Sequence, residues 1–315
     1  MEEAGTGWEF KVLPKILLIA DDGLGAREGE SALALAGARA VGPVAMAVAP
    51  AALAHADSID GVLIEAAGSD DGALTLALDA AAILVAGSTL PVVIVLEDSQ
   101  IDQVASRLLT GRVQLLCSPT LAERVTALVI ALTGKIGNRV RESGDSHDRD
   151  AERFNQLNAE VARIAETLAR LAKADPSSAR PMLLGDRTTG YRGPGAGDGA
   201  GISPGDVRQV IRGRRLRDQY FGTGLFEDPA WDMLLDLFAA DLERARVSVS
   251  SLCIAAAVAP TTALRWISRM TEAGLFEREA DPFDRRRAFM QLSTQARDGM
   301  RDYWLSVKRA GGVIG

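Results

Sequence analysis

The sequence has few of the residues that build covalent or metal-bound frameworks. Its 315 residues include only two cysteines, Cys117 and Cys253, and two histidines, His55 and His147. All four are far apart along the chain, a spacing that predicts neither a disulfide framework nor a zinc site. The sequence also offers no Cys/His pair and no nucleophile elbow. We therefore expect no metal, no cofactor and no enzymatic activity.

Long apolar runs and a basic leader are missing as well. No stretch of about 18 residues is free of charged or turn residues, so no transmembrane helix is predicted. Residues 1–14 carry Glu2, Glu3 and Glu9 where a signal peptide would carry basic residues. We expect a disordered segment over 1–14, a cytoplasmic protein and no membrane partner.

The net charge of −7 is unevenly distributed along the chain. Up to residue 138 there are 8 basic and 17 acidic side chains, a net of −9. From residue 206 to the end there are 17 basic and 15 acidic side chains, a net of +2. The whole-chain charge is therefore a poor guide to a nucleic-acid partner, because the C-terminal third is mildly basic.

Short apolar runs alternate with Ala- and Leu-rich amphipathic stretches over residues 15–138. The runs are rich in Val, Ile and Leu and do not alternate strictly with polar residues, which is typical of strands buried on both faces. They are Lys15–Ala20, Val44–Ala49, Gly61–Glu65, Pro91–Leu96 and Val113–Cys117. Five such strands with intervening helices predict an α/β domain, a flavodoxin-like doubly wound parallel sheet.

Acidic residues follow the first and third of these strands, where open α/β sheets place their sites. Asp21 and Asp22 follow the first strand, and Glu65 ends the third. With this strand order, residues 15–133 resemble the receiver domain of response regulators. The resemblance implies an acidic pair that holds Mg²⁺, a phospho-accepting Asp, a hydroxyl and a lysine. The last three positions hold Glu65, Leu96 and Ser118 here.

This degenerate phospho-acceptor pocket predicts a receiver-like domain that works without phosphorylation. The extra methylene of Glu65 moves its carboxylate out of the in-line geometry on which phosphoryl transfer depends. Such a pseudo-receiver would dimerise or bind a signalling protein. A flavodoxin-like domain of another role is the alternative.

A heptad pattern occupies residues 150–174, between a polar linker at 139–150 and a Gly- and Pro-rich tether at 175–205. Apolar residues recur there at steps of three and four, which predicts a coiled-coil seam and a homodimer. The predicted dimerisation residues are Phe154, Leu157, Val161, Ile164, Leu168 and Leu171. A helix packed on a neighbouring domain remains the alternative. The composition of the tether predicts flexibility.

Two short helices separated by a tight break are predicted near residue 260, within a domain spanning 206–310. A helix over Leu252–Val258 ends at Ala259-Pro260, and Thr261–Ala273 forms the next helix, which Gly274 terminates. This is the pattern of a helix-turn-helix, whose second helix enters the major groove. The residues predicted to read DNA from that helix are Thr261, Thr262, Arg265 and Arg269.

A β-hairpin with three arginines at its tip is predicted directly after this helix pair. Strands over Leu275–Glu279 and Ala288–Leu292 flank Asp281-Pro282-Phe283-Asp284 and the predicted phosphate contacts Arg285, Arg286 and Arg287. The helix pair with this hairpin is similar to the winged helix of MarR-type bacterial transcription regulators, over about residues 206–310.

The resemblance implies a sequence-specific DNA-binding transcription regulator that acts on double-stranded DNA as a homodimer. A signalling adaptor whose two domains bind proteins is the alternative, because winged helices also serve as protein interfaces. Arg208, Arg212 and Arg215 share one face of a helix predicted over Asp206–Tyr220. They could contact the DNA backbone or solvate a dimer helix.

Overall fold

The computed structural model of the chain describes residues 13–141 and 202–309, apart from residues 22, 223 and 285. We refer to these two ranges as the N-terminal region and the C-terminal region. Both belong to one compact unit, Met1–Arg139 together with Ile202–Gly315, and Val140–Gly201 forms a second unit. The predicted heptads and tether, and nearly all of the segment predicted to be disordered at 1–14, lie outside the described residues.

The N-terminal region is a five-stranded parallel sheet with the order β2-β1-β3-β4-β5. Its elements in chain order are β1 (Lys15–Ala20), α1 (Gly23–Leu35), β2 (Arg39–Val44), α2 (Ala49–Ala54), β3 (Gly61–Glu65), α3 (Asp71–Gly87), β4 (Val92–Leu96), α4 (Ile101–Leu108), β5 (Val113–Cys117) and α5 (Leu121–Arg141). This order is that of a doubly wound, flavodoxin-like fold, so the predicted α/β class is confirmed.

The sheet is covered on both faces, which explains the continuous apolar runs of β1, β3 and β4. Alternate strand residues such as Leu18, Leu63 and Val95 pack with α1 and α5. Their neighbours, such as Ile19 and Ile64, pack with α2, α3 and α4. Because both sets leave water, no polar alternation is needed in these strands.

The second strand was predicted in the wrong place. β2 spans Arg39–Val44 rather than Val44–Ala49, and a 3-10 turn, Met46–Val48, begins the helical segment that continues into α2. β2 is the edge strand, and most of its side chains are exposed or half-exposed, so its apolar signal is weak. The stronger apolar run that follows contributes Met46 and Ala49 to the core beside α3 instead.

The C-terminal region is mostly helical and carries a three-stranded antiparallel sheet with the order β6-β8-β7. Its elements are α6 (Pro204–Phe221), α7 (Pro229–Glu243), β6 (Val247–Ser248), α8 (Val249–Ala255), α9 (Pro260–Glu272), β7 (Phe276–Ala280), β8 (Ala288–Leu292) and α10 (Thr294–Arg309). Helix α7 begins at Asp228, whose carboxylate accepts a hydrogen bond from Trp231 N. Helix α9 ends before Gly274, whose positive φ of 71° favours glycine.

The core of the C-terminal region continues into that of the N-terminal region. Phe238, Phe276 and Trp304 are almost completely buried and join one connected apolar cluster with Ile64 and Leu96 of the parallel sheet. The two regions therefore pack on each other through apolar as well as polar contacts.

Within the described ranges no single helix is long and apolar enough to cross a membrane; the bent pair α8 and α9 meets that test only when the two are taken together.

Candidate functional site

The helices α8 and α9 meet at a sharp break, where the chain bends by 109°. Helix α9 turns Ala263, Ile267 and Met270 into the core, as its apolar spacing predicted. Arg265 and Arg269 lie exposed on the other side. The break therefore presents a short helix with two exposed guanidinium groups on its outer side.

Trp266 and Thr262 border this exposed side. Both are half-buried, and Trp266 packs against the apolar cluster at its inner edge. The Arg269 guanidinium lies over the Trp266 ring, 5.1 Å from its centroid, a cation–π geometry. Trp266 thus anchors the helix and also holds an exposed arginine in place.

The hairpin β7–β8 follows α9 and ends in a tight turn. Asp281 N donates to Arg287 O (3.1 Å), and the carboxylates of Asp281 and Asp284 accept from Phe283 N and Arg286 N, both at 2.9 Å. Phe283 is 95% exposed at the tip. Arg286 and Arg287 are exposed beside it, whereas Arg285 lies outside the described residues.

The arginines of α6 have intramolecular partners, which neither sequence interpretation foresaw. Arg208 pairs with Asp236 (2.5 Å) and Glu243 (2.9 Å) of α7. Arg214 and Arg215 both reach the buried carboxylate of Asp232, at 2.7 and 3.4 Å. These guanidinium groups hold α6 against α7. Arg212, the third member of the predicted face, is exposed.

Helix α9 is held at both ends by β5, the far edge strand of the parallel sheet. At its start, Cys117 N donates to the Thr261 hydroxyl (2.9 Å). At its end, Gly111 N donates to a Glu272 carboxylate oxygen (2.7 Å). An open strand edge exposes unpaired backbone groups, and α9 covers this edge. Thr261, predicted to read DNA, therefore contacts the N-terminal region instead.

Three further contacts join the same elements to the N-terminal region. The Asp102 carboxylate at the start of α4 accepts from Ser250 N (2.9 Å) and from the Ser250 hydroxyl (2.7 Å). Arg278 of β7 donates to Ala105 O (2.9 Å). The remaining contact pairs Arg286 with Asp71 at 3.0 Å, and both side chains are largely exposed.

The predicted phospho-acceptor pocket contains a buried ion pair. Glu65 is 1% exposed and lies 3.3 Å from Arg124 of α5, whose side chain is 10% exposed. Arg124 also pairs with Glu28 of α1 at 2.8 Å and donates to Pro119 O at 3.2 Å. A guanidinium thus sits where the resemblance places a phosphoryl group.

The remaining pocket positions carry backbone contacts. Asp21 accepts from Met46 N (2.7 Å), and Asp22 lies outside the described residues. Leu96 is buried in the apolar cluster, and Ser118 N donates to Leu96 O (2.9 Å). Ser118 has a φ of 45°, in the left-handed region where non-glycine residues are strained.

The described pocket residues do not fit the Mg²⁺ site that the receiver resemblance implies. A divalent cation needs carboxylate oxygens that are free to coordinate it. Glu65 already bears the Arg124 guanidinium, whose positive charge would repel a cation, and an Asp21 oxygen is taken by a backbone N–H. Across the described ranges no group of three or more His, Cys, Asp or Glu side chains converges on one point.

Both cysteines are buried where the two regions meet. The Cys117 thiol donates to Asp98 (2.8 Å), and burial together with that carboxylate raises its pKa to about 12. Burial and the carboxylates of Asp102 and Asp98 raise the pKa of Cys253, in α8, to about 12 as well. The thiol in the C-terminal region thus senses carboxylates of the N-terminal region.

Sequence reasoning missed Arg124 and Asp102, the two side chains that organise the pocket and the junction. Neither belongs to a recognisable motif, since one is an ordinary arginine on α5 and the other an ordinary first-turn acid on α4. The predicted dimerisation seam lies outside the described residues.

No protein-family model and no curated protein sequence matches the chain. Among solved structures, a response regulator receiver protein from Sinorhizobium medicae WSM419 is similar at 23% sequence identity, with a TM-score of 0.31. The match covers 39% of this chain and 98% of that protein. The N-terminal region thus resembles a receiver domain, and its fold class rests on the strand order itself.

Proposed function

We propose that the chain is a sequence-specific DNA-binding transcription regulator whose C-terminal region is a winged helix of MarR type. The observation that carries this is the break between α8 and α9. A bend of 109° lies within the range of DNA-binding helix-turn-helix pairs, about 90–120°. Helix α9 then takes the place of the recognition helix, with Arg265 and Arg269 exposed on it.

The hairpin β7–β8 supports the same function. Arg286 and Arg287 are exposed at its turn, immediately after α9 in the chain, and the sequence places Arg285 beside them. In this position the hairpin serves as the wing, whose arginines contact phosphates. Since Phe283 is almost fully exposed at the tip, it can enter a groove as an apolar contact.

The N-terminal region acts in this proposal as a phosphorylation-independent receiver-like domain for dimerisation or partner binding. The Glu65–Arg124 ion pair supports it, because a buried carboxylate already matched to a guanidinium has no need of a phosphoryl group. A signalling adaptor whose two domains bind only proteins is the competing function, and the exposed arginines on α9 and the hairpin favour DNA over it.

Salt dependence of duplex binding tests the proposal. Replacing Arg285, Arg286 and Arg287 together by Ala should weaken binding to all sequences and flatten the log K against log[salt] slope by roughly 0.9 per lost phosphate contact. Arg265→Ala should instead relax the preference for particular bases, at about 1–3 kcal/mol for a lost bidentate contact. A triple variant with an unchanged slope would remove the hairpin from the interface.

A further inference from the structure

The elements proposed to read DNA are the ones that dock on the N-terminal region. Helix α9 is fastened to β5 through Thr261 and Glu272, and α8 to α4 through Ser250. The hairpin contributes Arg278 and Arg286. All of these contacts therefore leave from α8, α9 and the hairpin β7–β8.

The side of α9 that faces β5 is next to its exposed arginines. Thr261, Ser268 and Glu272 follow one another at spacings of seven and four residues, which places them on one line along the helix. Ser268 is buried on this line, and its neighbour Arg265 remains exposed. The docked surface is thus one flank of the outer side of α9.

A helix held in this way has no room for DNA. The major groove is about 12 Å wide and about 8.5 Å deep, and a helix with its side chains is about 10–12 Å across. Entry requires both flanks of the helix to be open to the groove walls. Here β5 lies along one flank, so the N-terminal region would collide with a DNA backbone.

We propose that the structure is a closed form in which the N-terminal region masks α9, so that docking and duplex binding exclude each other. This inference rests on the proposed function. The apolar cluster shared by the two regions favours the closed form in the absence of DNA. The exposed Arg286–Asp71 pair is open to exchange, because a phosphate can replace the Asp71 carboxylate. The pocket around Glu65 has no part in the opening.

Substitutions confined to the N-terminal region test the masking without altering the proposed DNA contacts. Asp102→Ala removes both hydrogen bonds to Ser250. Gly111→Ala carries no charge change, and its Cβ would collide with the Glu272 carboxylate. Asp79→Ala is the matched control: it removes the same charge from the same region, but its partner Arg107 lies within that region.

Two measurements on the full-length chain are compared, the affinity for a fluorescent random-sequence duplex of about 30 base pairs, three helical turns, and the rate at which maleimide labels the native thiols. Cys117 and Cys253 are the only cysteines and are buried at the junction, so their labelling reports separation without DNA. We expect Asp102→Ala to speed labelling and tighten duplex binding, each by about tenfold, which corresponds to about 1.4 kcal/mol. Gly111→Ala should act in the same direction, and Asp79→Ala should change either quantity less than about twofold.

The outcomes separate the inference from the function. Faster labelling with unchanged duplex affinity would overturn the masking while leaving DNA binding in place. Equal gains in Asp102→Ala and Asp79→Ala would reduce the effect to charge removal and overturn it too. If labelling responds but no variant binds duplex at low salt, the proposed function itself fails, and the masking of a DNA site falls with it.

Discussion

Removing the Arg124 guanidinium should destabilise the N-terminal region far more than removing a similar guanidinium elsewhere. Arg124 and Arg107 have side chains that are 10% and 11% exposed, and each pairs with a carboxylate. The carboxylates differ, since Glu65 is 1% exposed and Asp79 is 57% exposed. In Arg107→Ala the abandoned carboxylate is solvated by water, whereas in Arg124→Ala it stays buried.

The magnitudes follow from that difference in burial. Breaking a buried pair by deleting one partner costs about 3–5 kcal/mol, because a charge is left without compensation. An exposed pair contributes only about 0.2–1 kcal/mol, which also bounds the share of Arg124 that belongs to half-exposed Glu28. We expect Arg124→Ala to lose about 3–5 kcal/mol and Arg107→Ala about 1 kcal/mol.

Urea unfolding followed by circular dichroism measures both losses. A third variant, Glu65→Leu with Arg124→Leu, replaces the ion pair by apolar groups and should fall within about 1–2 kcal/mol of the original chain. Equal losses in Arg124→Ala and Arg107→Ala would refute the reasoning, since they would show that Glu65 is effectively solvated. A double variant as unstable as Arg124→Ala would refute it as well.

Three more predictions concern phosphorylation, pH and assembly. Incubation with acetyl phosphate and Mg²⁺ should leave the mass and the DNA affinity unchanged, and a phosphoprotein whose label disappears in Glu65→Gln would contradict this. Hydrogen bonding to Arg208 lowers the pKa of Glu243, so its stabilising contribution is present above the unfolded pKa and lost as pH falls through the lower folded value. Unfolding titrations should therefore show Arg208→Ala less stable than the original chain at pH 7 by a margin that shrinks in acid below about pH 4.5. Val161→Glu with Leu168→Glu should lower dimer affinity in sedimentation and weaken DNA binding in parallel, because unpaired carboxylates in an apolar seam cost several kcal/mol each; unaltered mass and affinity would assign the heptads to packing within one chain.

Local sequence patterns were sufficient for the elements whose burial is strong and continuous. Strands β1 and β3–β5 carry apolar runs because both of their faces are covered, and each lies within one residue of its predicted position. The break at Pro260 and the turn at Gly274 also have local causes, since proline and glycine act on their own backbone. The edge strand β2 was misplaced because an exposed strand leaves little apolar signal, and a nearby helical segment has more.

Tertiary structure alone decided what the candidate functional residues contact. Thr261 and Cys117 are 144 positions apart, and Ser250 and Asp102 are 148 apart. A hydroxyl, a backbone N–H or a surface carboxylate can pair with many groups, so residue type does not identify its partner over such a separation. The same holds for Arg124, whose role arises only because α5 lies over the end of β3. The sequence therefore determined which side chains are available for binding, and the packing of the two regions determined which of them are already engaged.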